Sequence, residues 1–196
     1  MTGFEIRRGF SEEHRERVAL LFWQAFSGKL GKVMGPDEKA LAFFEGVLNP
    51  DFALSAVTAD GKLLGMAGYK TAGGALAGGG LKELAKVYGC FGALWRGLLL
   101  ETLERDLEAE TLLMDGIFVS EEARGQGVGS ALLDAVCSEA QSRGLKKMRL
   151  DVIDTNPRAK SLYERHGFVG TGTVETGPLA GLFGFKFATT MIKRVS

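Results

Sequence analysis

Val119-Ser120-Glu121-Glu122-Ala123-Arg124-Gly125-Gln126-Gly127-Val128-Gly129-Ser130 is the stretch on which the fold turns. A largely apolar run, 111–119, reads as a strand that ends at the first residue of this stretch. A helix over 127–143 begins at its far end, with Val128, Leu132, Val136 and Ala140 in one i, i+4 row. Gly144 stands just past the last turn, where a left-handed residue closes a helix. Glycines at a strand-to-helix junction allow positive φ and let a ligand approach backbone without a Cβ in the way. The new helix presents unpaired N–H groups and a partial positive charge to that ligand. Arg124 adds a full charge at the same mouth, so the expected guest is a phosphate or pyrophosphate. A Walker A loop needs Gly-Lys-Ser/Thr, and no lysine lies between Arg124 and Ser130. A dinucleotide fingerprint needs a third glycine where Ser130 stands, and repeated βαβ units that are not found here.

Working outward, 148–152 alternates as the next strand. Asn156-Pro157 starts a short helix through Tyr163, closed by His166-Gly167, and 168–174 and 185–195 read as two final strands. Toward the N-terminus, 4–7 is a first strand and Ser11 caps an amphipathic helix over 12–26. Pro36 opens a second helix whose buried face is Leu41, Phe44, Val47 and Leu48. The runs 53–58 and 63–70 flank Asp60-Gly61 and read as a hairpin. Residues 72–108 interrupt this order. A small-residue stretch to Gly80 precedes a helical pattern over 81–107, with Leu84, Tyr88, Phe91, Trp95, Leu98 and Leu103 among its apolar positions. The expectation is one α/β domain over 1–196, a mixed and largely antiparallel central sheet flanked by helices, with 72–108 as a helical insertion.

The 196 residues carry 24 Lys+Arg and 24 Asp+Glu, a formal net charge of zero. A balanced chain lacks the basic field that phosphate-backbone binding needs, so no nucleic acid is expected as partner. The most apolar segment, 92–100, is broken by Arg96 and far short of the ~20 residues of a membrane span. The N-terminal residues lack the apolar region of a signal peptide. Two cysteines, Cys90 and Cys137, and two histidines, His14 and His166, make neither a disulfide framework nor a zinc site. A cytoplasmic protein with no metal is expected. Cys137 reads as core, His166 as a helix-end cation and His14 as surface. Tyr88, Phe91 and Trp95 read as a core or interface stripe, with the cover of an acceptor pocket as the alternative. The 81–107 segment and the last strands offer a homodimer contact. Glycine, 28 of 196 residues, is about twice its usual share of about 7%.

Two motifs together carry a family resemblance. Arg124-x-x-Gly127-x-Gly129, preceded by Ile117-Phe118-Val119, resembles the acetyl-CoA pyrophosphate loop of the GNAT N-acetyltransferases. Asn156-x-x-Ala159-x-x-x-Tyr163-x-x-x-Gly167-Phe168 resembles that family's later signature, at the expected distance. The resemblance covers about 111–170 and implies the following roles. Backbone of Ile117, Phe118 and Val119 would hydrogen-bond the pantetheine arm. Amides of Arg124, Gly125, Gln126, Gly127, Val128, Gly129 and Ser130 would hold the pyrophosphate, and the Asn156 side chain would meet the cofactor. Arg158 and Lys160 either meet the nucleotide phosphate or face water. Tyr163 matches the general acid that protonates the departing CoA thiolate. The base is Asp151, in a position where some members carry glutamate, or Asp115, which by strand alternation shares a face with Ile117 and Val119. The implied reaction is direct transfer of acetyl from acetyl-CoA to a primary amine of a small molecule or peptide. The rivals are an inactive acyl-CoA-binding module and a transferase of longer acyl groups.

Overall fold

The computed structural model describes residues 3–102 and 106–195. Its first half is a hairpin sheet covered by two helices. Strands β1 (Phe4–Arg8), β2 (Ala53–Thr58) and β3 (Leu63–Thr71) pair antiparallel in that order. The β2–β3 turn is the expected Asp60-Gly61, with Gly61 at φ +87°. Between β1 and β2 lie a 3-10 turn (Glu12–His14), α1 (Arg15–Met34) and α2 (Asp37–Val47). Helix α1 runs past the expected end at residue 26, through Gly28 and Gly31, to Met34. Leu30, Val33 and Met34 are buried there, and burying that stripe outweighs the poor helix propensity of two glycines. His14 is half-buried rather than surface, its Nε2 2.8 Å from the Gly61 carbonyl.

The small-residue run has a packing origin. It forms β4 (Gly74–Ala75) against β3 and then passes close beneath α2. A Cβ at Gly79 would lie 2.7 Å from both Phe43 and Val47, and one at Gly68 would lie 2.1 Å from the fully buried Leu76. Helix α3 (Leu81–Glu101) follows and is broken at Gly89 (φ +70°). The expected aromatic stripe does not share one buried face: Tyr88 donates to the Met34 carbonyl, whereas Phe91 is 92% exposed. The Gly89 break resets the 3.6-residue phase between them. Leu103 lies outside the described residues.

The second half is β5 (Thr111–Val119), α4 (Val128–Ser142), β6 (Lys147–Ile153), α5 (Pro157–Arg165), β7 (Val169–Glu175), α6 (Ala180–Phe183) and β8 (Phe187–Arg194). The sheet order is β1-β2-β3-β5-β6-β8-β7, with β4 beside β3. Among the described residues every neighbouring pair is antiparallel except β5–β6, which α4 connects as a crossover. Helices α1 and α2 cover one face of the sheet and α4 the other.

Two irregularities position the site. The β5–β6 pairing stops at Leu113↔Arg149, after which β5 stays with β3 and β6 with β8, so the two strands splay apart. In β5, Gly116 faces Gly68 while Met114 faces the next residue, Tyr69. Asp115 is therefore the extra residue of a β-bulge, which re-aims side chains and interrupts the alternation along the strand.

The α4 face is pinned by one buried carboxylate. Glu139 accepts from Arg143 Nε (2.7 Å) and the Tyr69 hydroxyl (3.3 Å), and pairs with Arg8 (2.8 Å). Burial opposes its ionised form, but the Arg143 hydrogen bond and the neighbouring arginines outweigh burial and hold its pKa below the usual 4.5. Its contribution to stability is thus present above that value and lost as pH falls through the lower folded-state pKa. Glu139→Ala is expected to cost about 2 kcal/mol at neutral pH, less than a fully buried pair because both arginines reach solvent. Urea melts of both proteins should show that difference shrinking below about pH 4.

Candidate active site

Where β5 runs on without β6, a cleft of about 720 Å³ is lined from α1, β5, the loop after it, α4 and α5. Ile117, Phe118 and Val119 lie on one wall, on the part of β5 beyond the end of its pairing with β6. A strand edge without a neighbour offers N–H and C=O groups to an extended ligand. The glycine loop crosses the mouth. Gly125 and Gly127 have φ of +78° and +82°, and a Cβ built on either would meet nothing within 4 Å. That geometry is a backbone cradle kept bare of side chains. Gly127 is the N-cap of α4, and the first amide to bond back is Ala131, to the Gly127 carbonyl at 3.0 Å. The amides of Val128, Gly129 and Ser130 are left for an anion, and all three residues line the cleft. The cradle fits a pyrophosphate.

Of the loop residues 124–130, Gln126 is the exception. Its side chain folds back to the Glu122 carbonyl (2.6 Å), and it does not line the cleft. Arg124 lines it while bridging to Glu121 at 3.3 Å. Asn156 also lines the cleft, but its Oδ1 accepts from the Ala159 amide at 3.1 Å and caps α5. The Asn-x-x-Ala spacing therefore has a local structural role, leaving the Asn156 amide nitrogen as the group able to donate to a ligand.

Helix α5 sets Tyr163 into the cleft wall, 7% exposed, its ring centroid 5.9 Å from that of Phe168. Burial pushes the phenol pKa up to about 12, so it keeps its proton at neutral pH. Arg158 lines the cleft, and so does Arg165, which sequence reasoning overlooked; Lys160 does not. Arg158, Leu162 and Arg165 stand at i, i+4 and i+7 on one helical face, so the periodicity of α5 already held that signal. Leu21, Gln24 and Ala25 of α1 were also missed, because an amphipathic pattern does not tell core wall from cleft wall.

A second cavity of about 790 Å³ lies on the α1–α2–α3 side. Asp115 and Leu113 line it, whereas Ile117 and Val119 line the first cleft. The expectation that Asp115 shares their face fails because the bulge interrupts the period of two. Asp151 lines neither cavity. It accepts from Thr190 Oγ1 at 2.6 Å and lies 3.7 Å from Arg149. Among the described residues no three His, Cys, Asp or Glu side chains cluster as a metal site. Cys90 and Cys137 are free thiols, and no described helix is long and apolar enough to cross a membrane.

Comparison with known proteins agrees with this architecture. Residues 15–168 match the model of the acetyltransferase (GNAT) family. The chain belongs to the GNAT family. Among curated proteins, this GNAT chain is 37% identical to thialysine N-epsilon-acetyltransferase of Bos taurus over 60 residues, 31% of the chain and 35% of the bovine protein. It is 41% identical over 64 residues to acetyltransferase Atu2258 of Agrobacterium fabrum, 33% of the chain and 44% of that protein. The matched segments span less than half the length of these relatives. Solved structures share the GNAT fold: a GCN5-related N-acetyltransferase from Kribbella flavida superposes with TM-score 0.64 at 19% identity, covering 98% of each chain. An N-acetyltransferase from Staphylococcus aureus Mu50 gives 0.66 at 18% identity, covering 96% of this chain and 100% of its own.

Proposed function

We propose that this protein transfers an acetyl group from acetyl-CoA directly to a primary amine. The observation that carries the reading is the single cleft that joins the β5 edge, the amides heading α4 and the Tyr163 ring. The pyrophosphate rests on the amides of Val128, Gly129 and Ser130, with Arg124, Arg158 and Arg165 as neighbouring cations. The pantetheine arm lies along the edge at Ile117 to Val119, as an added strand. This delivers the thioester toward the place where β5 and β6 part, close to the cavity that Asp115 lines.

In the reaction the amine nitrogen bonds to the thioester carbonyl carbon and the carbon–sulfur bond breaks. The amine proton leaves toward Asp115, directly or through water. Asp115 suits this role better than Asp151 because it lines the second cavity, whereas Asp151 lines neither cavity. Tyr163 donates its phenolic proton to the departing sulfur and regains one from solvent. No acyl-enzyme is invoked, since Cys137 is buried with its thiol pKa raised by burial, and Cys90 lines neither cavity. The two free thiols suit a reducing cytoplasm.

Thermal unfolding with and without acetyl-CoA tests the site. At 100 times its Kd the ligand should add about 2.7 kcal/mol to the native state. An upward shift with acetyl-CoA and CoA but not NADH is expected, followed by acetylation of an amine in a turnover screen. A shift without turnover on any amine would favour an acyl-CoA-binding module. No shift at millimolar acetyl-CoA would remove the cofactor assignment.

A further inference from the structure

The cavity on the α1–α2–α3 side has largely apolar walls. Its floor includes four phenylalanines, Phe22, Phe26, Phe43 and Phe44, packed ring against ring, with the Phe22–Phe26 and Phe22–Phe44 centroids 4.6 and 4.7 Å apart. Its rim is α3, whose Leu81, Leu94 and Leu98 are 55%, 66% and 66% exposed yet all line the cavity. Large apolar side chains left in water around a concavity gain free energy only when an apolar occupant covers them. The cavity is also lined by the run 77–80, an alanine and three glycines, which leads directly into α3. Its charged side chains are Lys29, Lys70, Asp115 and Glu101, two of each sign. A balanced wall does not attract a polycation, as a carboxylate-lined site would. A volume of about 790 Å³ holds a molecule larger than a bare alkylamine. Asp115 lines this cavity, and Ile117, two residues on along β5, lines the cofactor cleft.

We infer that the acceptor is an arylalkylamine, its ring seated on the phenylalanine floor beneath Leu94 and Leu98 and its amine directed toward Asp115. This rests on the acetyltransferase reading and deepens it from amines in general to amines with an apolar ring. Leu94 and Leu98 become the residues that set acceptor preference. Both are exposed, so replacing them by glutamine removes apolar contact from the cavity without opening a hole in the core.

The test is a comparison of 2-phenylethylamine, spermidine and thialysine as acceptors at saturating acetyl-CoA, in the wild type and in the Leu94→Gln/Leu98→Gln double variant. Phenylethylamine should give kcat/KM at least about tenfold above the other two. The double variant should lose about tenfold on phenylethylamine while acetyl-CoA affinity stays within about twofold of wild type. A preference for spermidine or thialysine overturns the inference, as does a double variant equal to wild type on phenylethylamine. Calorimetric titration of phenylethylamine separates the two levels. Leu98-dependent binding without turnover would sink the acetyltransferase reading and leave the ring-binding cavity standing. Acetylation of spermidine with no phenylethylamine binding would do the reverse. If octanoyl-CoA displaces phenylethylamine from the CoA-free protein, the cavity takes an acyl chain, and the acceptor inference falls.

Discussion

Gly127→Glu is expected to lower acetyl-CoA affinity by about 100-fold or more, because two independent costs fall on one residue. The first is conformational. Gly127 sits at φ +82°, and a side chain there strains the backbone or forces the loop to a new path. The second is electrostatic. The glutamate would enter the open space above the α4 amides, where the pyrophosphate is proposed to rest, and would satisfy those amides itself. A Cβ at this position meets no atom within 4 Å, so the folding cost is confined to backbone strain of about 1–3 kcal/mol, and the larger loss should appear in binding. Gly127→Ala separates the two costs: it carries the strain without the charge and should weaken binding by about tenfold. Titration calorimetry beside circular dichroism reads both variants. A folded Gly127→Glu protein that binds acetyl-CoA like wild type would remove the loop from the cofactor site.

Tyr163→Phe is expected to lower kcat by about 100-fold or more, the usual scale for loss of a general acid, while acetyl-CoA affinity changes little. Phenylalanine keeps the ring against Phe168 and removes only the hydroxyl, so stability should hold. The pH profile adds a sharper check. Burial pushes the Tyr163 pKa up to about 12, and the acid form therefore persists throughout the working range. Below pH 10 the wild-type rate should show no alkaline loss attributable to this phenol, and should instead rise with pH as the acceptor amine loses its proton. A wild-type rate that falls between pH 8 and 10 and a Tyr163→Phe rate that does not would mean the phenol ionises far more readily than its burial implies. Equal kcat in the two proteins would make Tyr163 a packing residue.

Much of the cofactor side was legible from local chemistry. Glycines ahead of a helix permit positive φ and leave the amides bare of side chains, and Gly125 and Gly127 adopt that conformation. The Asp60-Gly61 hairpin and Tyr163 on its short helix are local in the same sense. The register of Asp115 was not legible. Strand alternation put it beside Ile117, and the bulge, created by how β5 meets β3, turned it to the other cavity. Nor did the 3.6-residue pattern of α3 reveal that Leu94 and Leu98 would face a cavity, because periodicity marks an apolar face without saying what lies against it.

The division follows from the range of the interactions. Residues 119–130 and 156–168 act through backbone conformation, caps and helix termini, all settled within a few positions along the chain, so their order alone specified a glycine loop heading a helix and a tyrosine-bearing helix. The splay of β5 from β6, the bulge at Asp115 and the cavity under α3 arise from contacts between segments far apart in sequence. Which strand edge lies bare and which carboxylate faces the second cavity are properties of that packing, decided only when the sheet and its helices close on one another.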